Sequence, residues 1–142
     1  MTFSRTTTIN WQGSIMEGGG TLAAGTGAFS TKVTFPRRIG EPEGSTSPEE
    51  LIAAAHASCF SMALSLFLGN AGMTAESIDT KATVTLEQVD GAFTVTSSHL
   101  ETAVRIPGAD AAKFQEAAEG AKAGCPISRL LKTNITLDAK LV

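Results

Sequence analysis

The longest apolar stretch of the chain lies near its middle. Residues 51–68 contain no Asp, Glu, Lys or Arg. Immediately before this stretch, Ser47 can cap a helix, Pro48 suits the first helical position, and Glu50 completes a capping box. Gly72 offers a glycine C-cap beyond it. This pattern predicts one long helix from Ser47 to about Gly72.

A helix that is apolar all round must be covered all round. A bilayer is one candidate, since the stretch reaches the length of a membrane span. Its serines and its histidine lower its hydrophobicity, however, and no Lys/Arg cluster flanks it. A core helix of a soluble domain is the favoured interpretation. A domain of this size has little material to wrap the helix, so we expect a second copy of the chain to cover part of it. A stripe of small residues would face that copy: Ala54, Ser58, Ser61 and Ser65.

The rest of the chain alternates apolar and polar residues in the manner of strands, with two further helices. Strands are expected at residues 4–11, 21–24, 29–35, 78–89, 93–106 and 134–141, and helices at residues 110–123 and 126–131. Asp90-Gly91 predicts a hairpin turn, and a bulge is expected near residues 97–99. Residues 36–46, with two prolines and two glycines, predict a loop. The order predicts one α+β domain over residues 1–142, with antiparallel sheets.

Composition excludes several classes of function. The chain has 142 residues, 42% hydrophobic and 18% charged, which is ordinary for a globular domain. A net charge of −3 provides no basic surface for nucleic acid or anionic lipid. The N-terminus has no signal-peptide pattern, so a cytoplasmic protein is expected, and its two cysteines are expected to be thiols.

The two cysteines differ in their predicted surroundings. Cys59 falls in the middle of the long helix, where the helix dipole has little effect, and such a thiol is most often an inert core residue. Cys125 precedes Pro126 at the start of a short helix, a position that lowers a thiol pKa. Helix electrostatics alone would therefore make Cys125 the nucleophile.

Two histidines offer alternatives. His56 lies one turn before Cys59, which allows a Cys-His pair for acyl transfer, although a core histidine satisfied by a hydrogen bond is the favoured interpretation. A zinc site from both cysteines, His56 and His99 lacks the short paired spacings that make such sites specific.

A guanidinium could hold a mid-helix cysteine as thiolate. Arg37 and Arg38 lie in the predicted loop before the helix, and a carboxylate from Glu49 or Glu50 could orient either of them through a bidentate pair.

Three motifs occur along the chain: TSPEEL at residues 46–51, AAHASCFSMA at residues 54–63, and KAGCP at residues 122–126. Together they resemble the OsmC/Ohr family of peroxidases that act on organic hydroperoxides, and specifically its OsmC branch. The resemblance extends over nearly the whole chain. It implies an α+β fold in which antiparallel sheets wrap long central helices in an intertwined homodimer, and it implies no cofactor.

The resemblance also implies roles for individual residues. Cys59 matches the peroxidatic cysteine and Cys125 the resolving one. Arg38, or less favourably Arg37, matches the arginine that activates the thiolate, and Glu49 matches the carboxylate that holds it. The usual Thr-Asn-Pro of the family is Thr-Ser-Pro at residues 46–48 here, and the variable length of the arginine loop leaves the choice of arginine open.

The implied reaction has two stages. Cys59 becomes a sulfenic acid as an alcohol leaves, and Cys125 then forms a disulfide that an external dithiol, of the dihydrolipoyl type in this family, reduces. Apolar side chains near Cys59 would favour organic hydroperoxides through an apolar pocket, and core packing explains the same residues equally well: Phe60, Met62, Leu66 and Phe67. A non-catalytic redox sensor or ligand-binding module is the remaining alternative.

Helix geometry adds one expectation. Ten residues of helix place Glu49 about 15 Å along the axis from Cys59, beyond direct contact. The arginine must bridge this distance, or Glu49 must act at the partner's Cys59. We therefore expect the active site at a dimer interface.

Overall fold

The computed structural model describes residues 1–142. Its elements, in chain order, are β1 (Thr7–Gln12), β2 (Gly19–Ala24), β3 (Ser30–Val33), α1 (Phe35–Ile39), α2 (Pro48–Asn70), β4 (Ser77–Val89), β5 (Ala92–Arg105), α3 (Ala111–Gly124), α4 (Pro126–Leu130) and β6 (Asn134–Leu141). The α+β fold class is confirmed. The chain separates into two compact units, Met1–Leu51 and Ile52–Val142.

The first unit contains an antiparallel sheet of strand order β1-β2-β3 and the short helix α1. α1 corrects the prediction of a loop from residue 36. Thr34 caps this helix by accepting the amide hydrogen of Arg37 at 3.3 Å, and Pro36 lies in its first turn. A capping threonine followed by proline in the first turn was the local signal for this helix.

The second unit contains a sheet of strand order β4-β5-β6. β4 and β5 are antiparallel, but β6 runs parallel to β5, which corrects the prediction that the sheets are antiparallel throughout. The reason is the connection: α3 and α4 carry the chain back to the end of the sheet where β5 began, so β6 starts in the same direction as β5.

The hairpin between β4 and β5 has the predicted turn. Asp90 and Gly91 have φ angles of 50° and 81°, as a two-residue turn of type I′ requires. The register of this strand pair shifts between Thr85 and Leu86: Thr85 pairs with Ser97, whereas Leu86 pairs with Val95. The extra residue is Thr96, one position before the predicted bulge.

The long helix α2 has the predicted ends. Ser47 accepts the amide hydrogen of Glu50 at 3.1 Å, and Gly72, with φ of 77°, follows the last turn. Phe60, Leu64 and Leu68 are fully buried in the core of the second unit, together with residues of β5 and α3.

The opposite face of α2 is exposed in the single chain. The side chains of Met62 and Leu66 are 69% and 62% exposed. By length and composition α2 could cross a membrane, and 22% of its most apolar stretch is buried. The core helix of a soluble protein can have the same length and composition.

Candidate functional site

A bidentate ion pair joins α1 to the first turn of α2 within the first unit. Arg38 donates from Nε to both carboxylate oxygens of Glu49, at 3.2 and 3.0 Å, and from Nη2 to Oε1 at 2.6 Å. The two side chains are 28% and 10% exposed. The hydrogen bond to Arg38 lowers the pKa of the Glu49 carboxyl, and the same bond raises the pKa of Arg38. Both side chains are therefore ionised, and the bidentate contact holds them in a fixed orientation.

The alternative arginine and the alternative glutamate have other partners. Arg37 forms an ion pair with Glu43 at 2.6 Å and donates to the carbonyl of Glu41. Glu50 accepts a hydrogen bond from the hydroxyl of Thr46 at 2.6 Å. Of the residues that the sequence left open, the structure thus pairs Arg38 with Glu49.

The two cysteines meet inside the second unit, 66 positions apart in the sequence. Cys59 is half-buried in the middle of α2, and Cys125 is fully buried at the N-cap of α4. Cys59 packs against the core cluster that contains Cys125, and both the Cys125 thiol and the backbone N–H of Ile127 are close enough to shift the pKa of Cys59. Both cysteines are free thiols in this structure.

The surroundings of Cys59 favour its protonated form. Burial raises the pKa of the Cys59 thiol, and the hydrogen bond with Cys125 raises it further. The Ile127 N–H acts in the opposite direction, because an amide hydrogen stabilises the thiolate. Ile127 is in the first turn of α4, where the amide hydrogens have no partner within the helix.

His56 does not pair with Cys59. Its imidazole is fully buried, with Nδ1 2.7 Å from the hydroxyl of Ser98 on β5 and Nε2 2.8 Å from the hydroxyl of Ser128 on α4. Burial lowers the pKa of His56. Both ring nitrogens are satisfied, so the structure has the core histidine that the sequence favoured over the Cys-His pair. Neither serine was identified from the sequence, because no local pattern links positions 42 and 72 residues apart.

The remaining candidate groups do not converge. His99 contacts Thr136 and, at 3.1 Å, Asp138, whereas His56 contacts serines, so the four residues considered and disfavoured as zinc ligands do not form one cluster. The four apolar residues expected to form a pocket lie on different sides of α2. Phe60 is in the core, Phe67 packs against the glycines of α3, and Met62 and Leu66 are exposed.

Comparisons with known proteins agree with this architecture. A model of the OsmC-like protein family matches residues 40–140. The chain is 48% identical over 142 residues, 99% of each chain, to Peroxiredoxin OsmC of Escherichia coli K12. It is 28% identical over 116 residues, 80% of each chain, to the organic hydroperoxide resistance protein of Xanthomonas axonopodis pv. citri.

Solved structures show the same fold. An OsmC-like protein of unknown function from Vibrio cholerae superimposes with a TM-score of 0.79 at 18% identity, over 98% of this chain and 100% of that one. OhrB of Bacillus subtilis gives a TM-score of 0.68 at 23% identity, over 96% and 98% of the chains. On the family match and on the full-length identity to one relative, this chain belongs to the OsmC-like protein family.

Proposed function

We propose that this chain, a cysteine-based peroxidase, reduces organic hydroperoxides to alcohols, with Cys59 as the peroxidatic and Cys125 as the resolving cysteine. The observation that carries the proposal is the proximity of the two thiols in the core of one unit. A sulfenic acid at Cys59 would form beside the only other thiol of the chain.

The first stage is a displacement at oxygen. The Cys59 thiolate attacks one oxygen of the hydroperoxide, the O–O bond breaks, and the alkoxide leaves and takes up a proton to become the alcohol. Cys59 keeps the other oxygen as a sulfenic acid.

The second stage removes that oxygen. The sulfur of Cys125 attacks the sulfur of the sulfenic acid, the S–S bond forms, the S–O bond breaks, and the oxygen leaves as water with the thiol proton of Cys125. An external dithiol, of the dihydrolipoyl type, then reduces the disulfide by thiol–disulfide exchange.

The first stage needs a cation near Cys59. Burial raises the pKa of this thiol, and within the second unit the Ile127 N–H is the one contact that opposes the rise. Arg38 is the cation we assign to this task, because Glu49 already holds its guanidinium in a fixed orientation.

The functional form is a homodimer. The exposed face of α2 carries Met62 and Leu66 together with small residues such as Ala54 and Ser58, and a second copy of the chain would remove this face from water. Because α2 separates Glu49 from Cys59 by about 15 Å, the partner's Arg38 is the candidate to reach each Cys59. We place this dimer in the reducing cytoplasm, where a dithiol can regenerate it.

A count of thiols tests the proposed function. One equivalent of cumene hydroperoxide is expected to remove both thiols of the wild-type chain together. Cys59→Ser is expected to abolish the reaction, while Cys125→Ser still consumes hydroperoxide once but forms no intramolecular disulfide and loses dithiol-supported turnover. Two thiols retained in the wild type would contradict the proposal. Unchanged turnover of Cys125→Ser would favour acyl-transfer or other single-cysteine chemistry instead.

A further inference from the structure

A second link joins α2 to α4 beside the pair of thiols. His56 lies three residues before Cys59 on α2, and Ser128 lies three residues after Cys125 on α4. The imidazole and the serine hydroxyl are 2.8 Å apart. Each helix thus contributes one cysteine and, about one turn away, one member of a buried hydrogen bond.

Ser128 and Cys125 belong to the same short helical segment, α4 and its N-cap. α4 has five residues, and the amide of Arg129 donates to the carbonyl of Cys125 at 3.1 Å, which closes its first turn over the cysteine. A shift of Ser128 relative to α2 therefore moves the backbone of Cys125 with it.

The imidazole is well suited to hold this position and poorly suited to act as a base. Its two ring nitrogens contact Ser98 and Ser128, it is fully buried, and no contact joins it to either thiol. A neutral histidine between two hydroxyls gives a short, directional contact to each of two elements.

We propose that His56 and Ser128 are positioning residues that hold Cys125 against Cys59, so that the sulfenic acid is captured before a second hydroperoxide can oxidise it. This inference rests on the proposed function. Without the contact, α4 samples positions in which the Cys125 sulfur is out of line for attack. A second hydroperoxide then transfers an oxygen to the Cys59 sulfenic acid, giving a sulfinic acid and a second alcohol.

The predicted effect is on the rate of disulfide formation and not on the first oxidation of Cys59. A misplacement of about 1 Å can slow a step between fixed groups by as much as about 100-fold. We expect Ser128→Ala to slow disulfide formation about 10-fold or more, and to lower by a similar factor the hydroperoxide concentration at which half of Cys59 becomes sulfinic acid.

The chain offers a matched control in Ser98→Ala. This substitution removes a buried hydroxyl from the same imidazole, but Ser98 lies on β5 and not on the helix of Cys125. The two variants are expected to lose similar thermal stability. The measurement is rapid quenching with a thiol-trapping reagent, followed by mass spectrometry of the thiol, disulfide and sulfinic forms over a range of cumene hydroperoxide concentrations.

The outcomes separate the inference from the proposed function. Slower disulfide formation and more sulfinic acid in Ser128→Ala, with Ser98→Ala within about twofold of the wild type, support the positioning role. Equal behaviour of the two variants, or a wild-type distribution in Ser128→Ala, overturns it. If the wild type itself forms no disulfide, the proposed function fails first, whatever the variants do.

Discussion

Burial raises the pKa of the Cys59 thiol, so its reactivity depends on the groups brought to it. The Ile127 amide contributes one hydrogen bond, and Cys125 raises the pKa of Cys59 further. A cysteine with these neighbours alone is mostly protonated near neutral pH. Ionisation of Cys59 at neutral pH therefore requires a cation that stabilises its thiolate.

The two adjacent arginines allow a direct test of that cation. Arg38→Met is expected to raise the apparent pKa of Cys59 and to slow peroxide reduction by about 100-fold or more, because the thiolate loses its guanidinium. Arg38→Lys is expected to recover little, since an ammonium cannot form the bidentate pair with Glu49. The measurement is the pH dependence of Cys59 alkylation by iodoacetamide.

Arg37→Met is the matched control for this test. Arg37 contacts Glu43 and the carbonyl of Glu41, so its loss is expected to leave the pH profile unchanged. A profile that moves with Arg37 and not with Arg38 would reassign the activating arginine.

At the scale of elements, the approach of α3 to α2 depends on two glycines spaced one turn apart. A Cβ at Gly120 would lie 2.6 Å from Cε1 of Phe67, and a Cβ at Gly124 would lie 3.2 Å from Cζ of the same ring. The ring therefore occupies the space that side chains at these positions would need. Cys125 follows Gly124 directly, so this packing also sets where α4 begins.

These distances predict different costs for the same substitution. Alanine in a helix interior is favoured over glycine by about 1 kcal/mol, but Gly120→Ala forces the Phe67 ring to move and is expected to destabilise the fold by about 1–3 kcal/mol. Gly124→Ala is expected to change stability by less than about 1 kcal/mol. Urea denaturation measures both. Stabilisation by Gly120→Ala would show that the ring is free to move away.

At the scale of the whole molecule, the exposed apolar face of α2 and the distance along α2 from Glu49 to Cys59 lead to the same expectation. A second copy of the chain is expected to cover the face that carries Met62 and Leu66. The same copy is expected to bring an Arg38–Glu49 pair to each Cys59. The prediction of a single domain over residues 1–142 remains a prediction.

Mixed dimers test whether the arginine acts across the dimer. Arg38→Met and Cys59→Ser chains are each expected to be inactive alone. After mixing and subunit exchange, a dimer with one chain of each kind has one intact Cys59 facing an intact partner Arg38, so activity is expected to return to about one quarter of the wild-type value. This estimate takes half of the dimers as mixed, with one working site in each.

An inactive mixture that nonetheless contains mixed dimers would place Arg38 and Cys59 of one chain in the same site. A monomeric mass in solution would contradict the proposed homodimer.

Elements whose signals are local could be predicted from the sequence. The ends of α2 depend on Ser47 and Gly72, and the β4–β5 turn depends on Asp90 and Gly91, each within a few residues of the feature it forms. The motifs around both cysteines were also sufficient to identify the family.

Contacts between distant positions could not be predicted from the sequence and became visible in the folded chain. It selected Glu49 for Arg38 across 11 residues, placed the two thiols together, gave His56 its two serines, and set the direction of β6. The physical reason is that a pattern of apolar and polar residues specifies which face of an element is buried, and this leaves open which residue of another element it meets. Hydrogen-bond partners and strand direction follow from the packing of whole elements and the path of the connections between them.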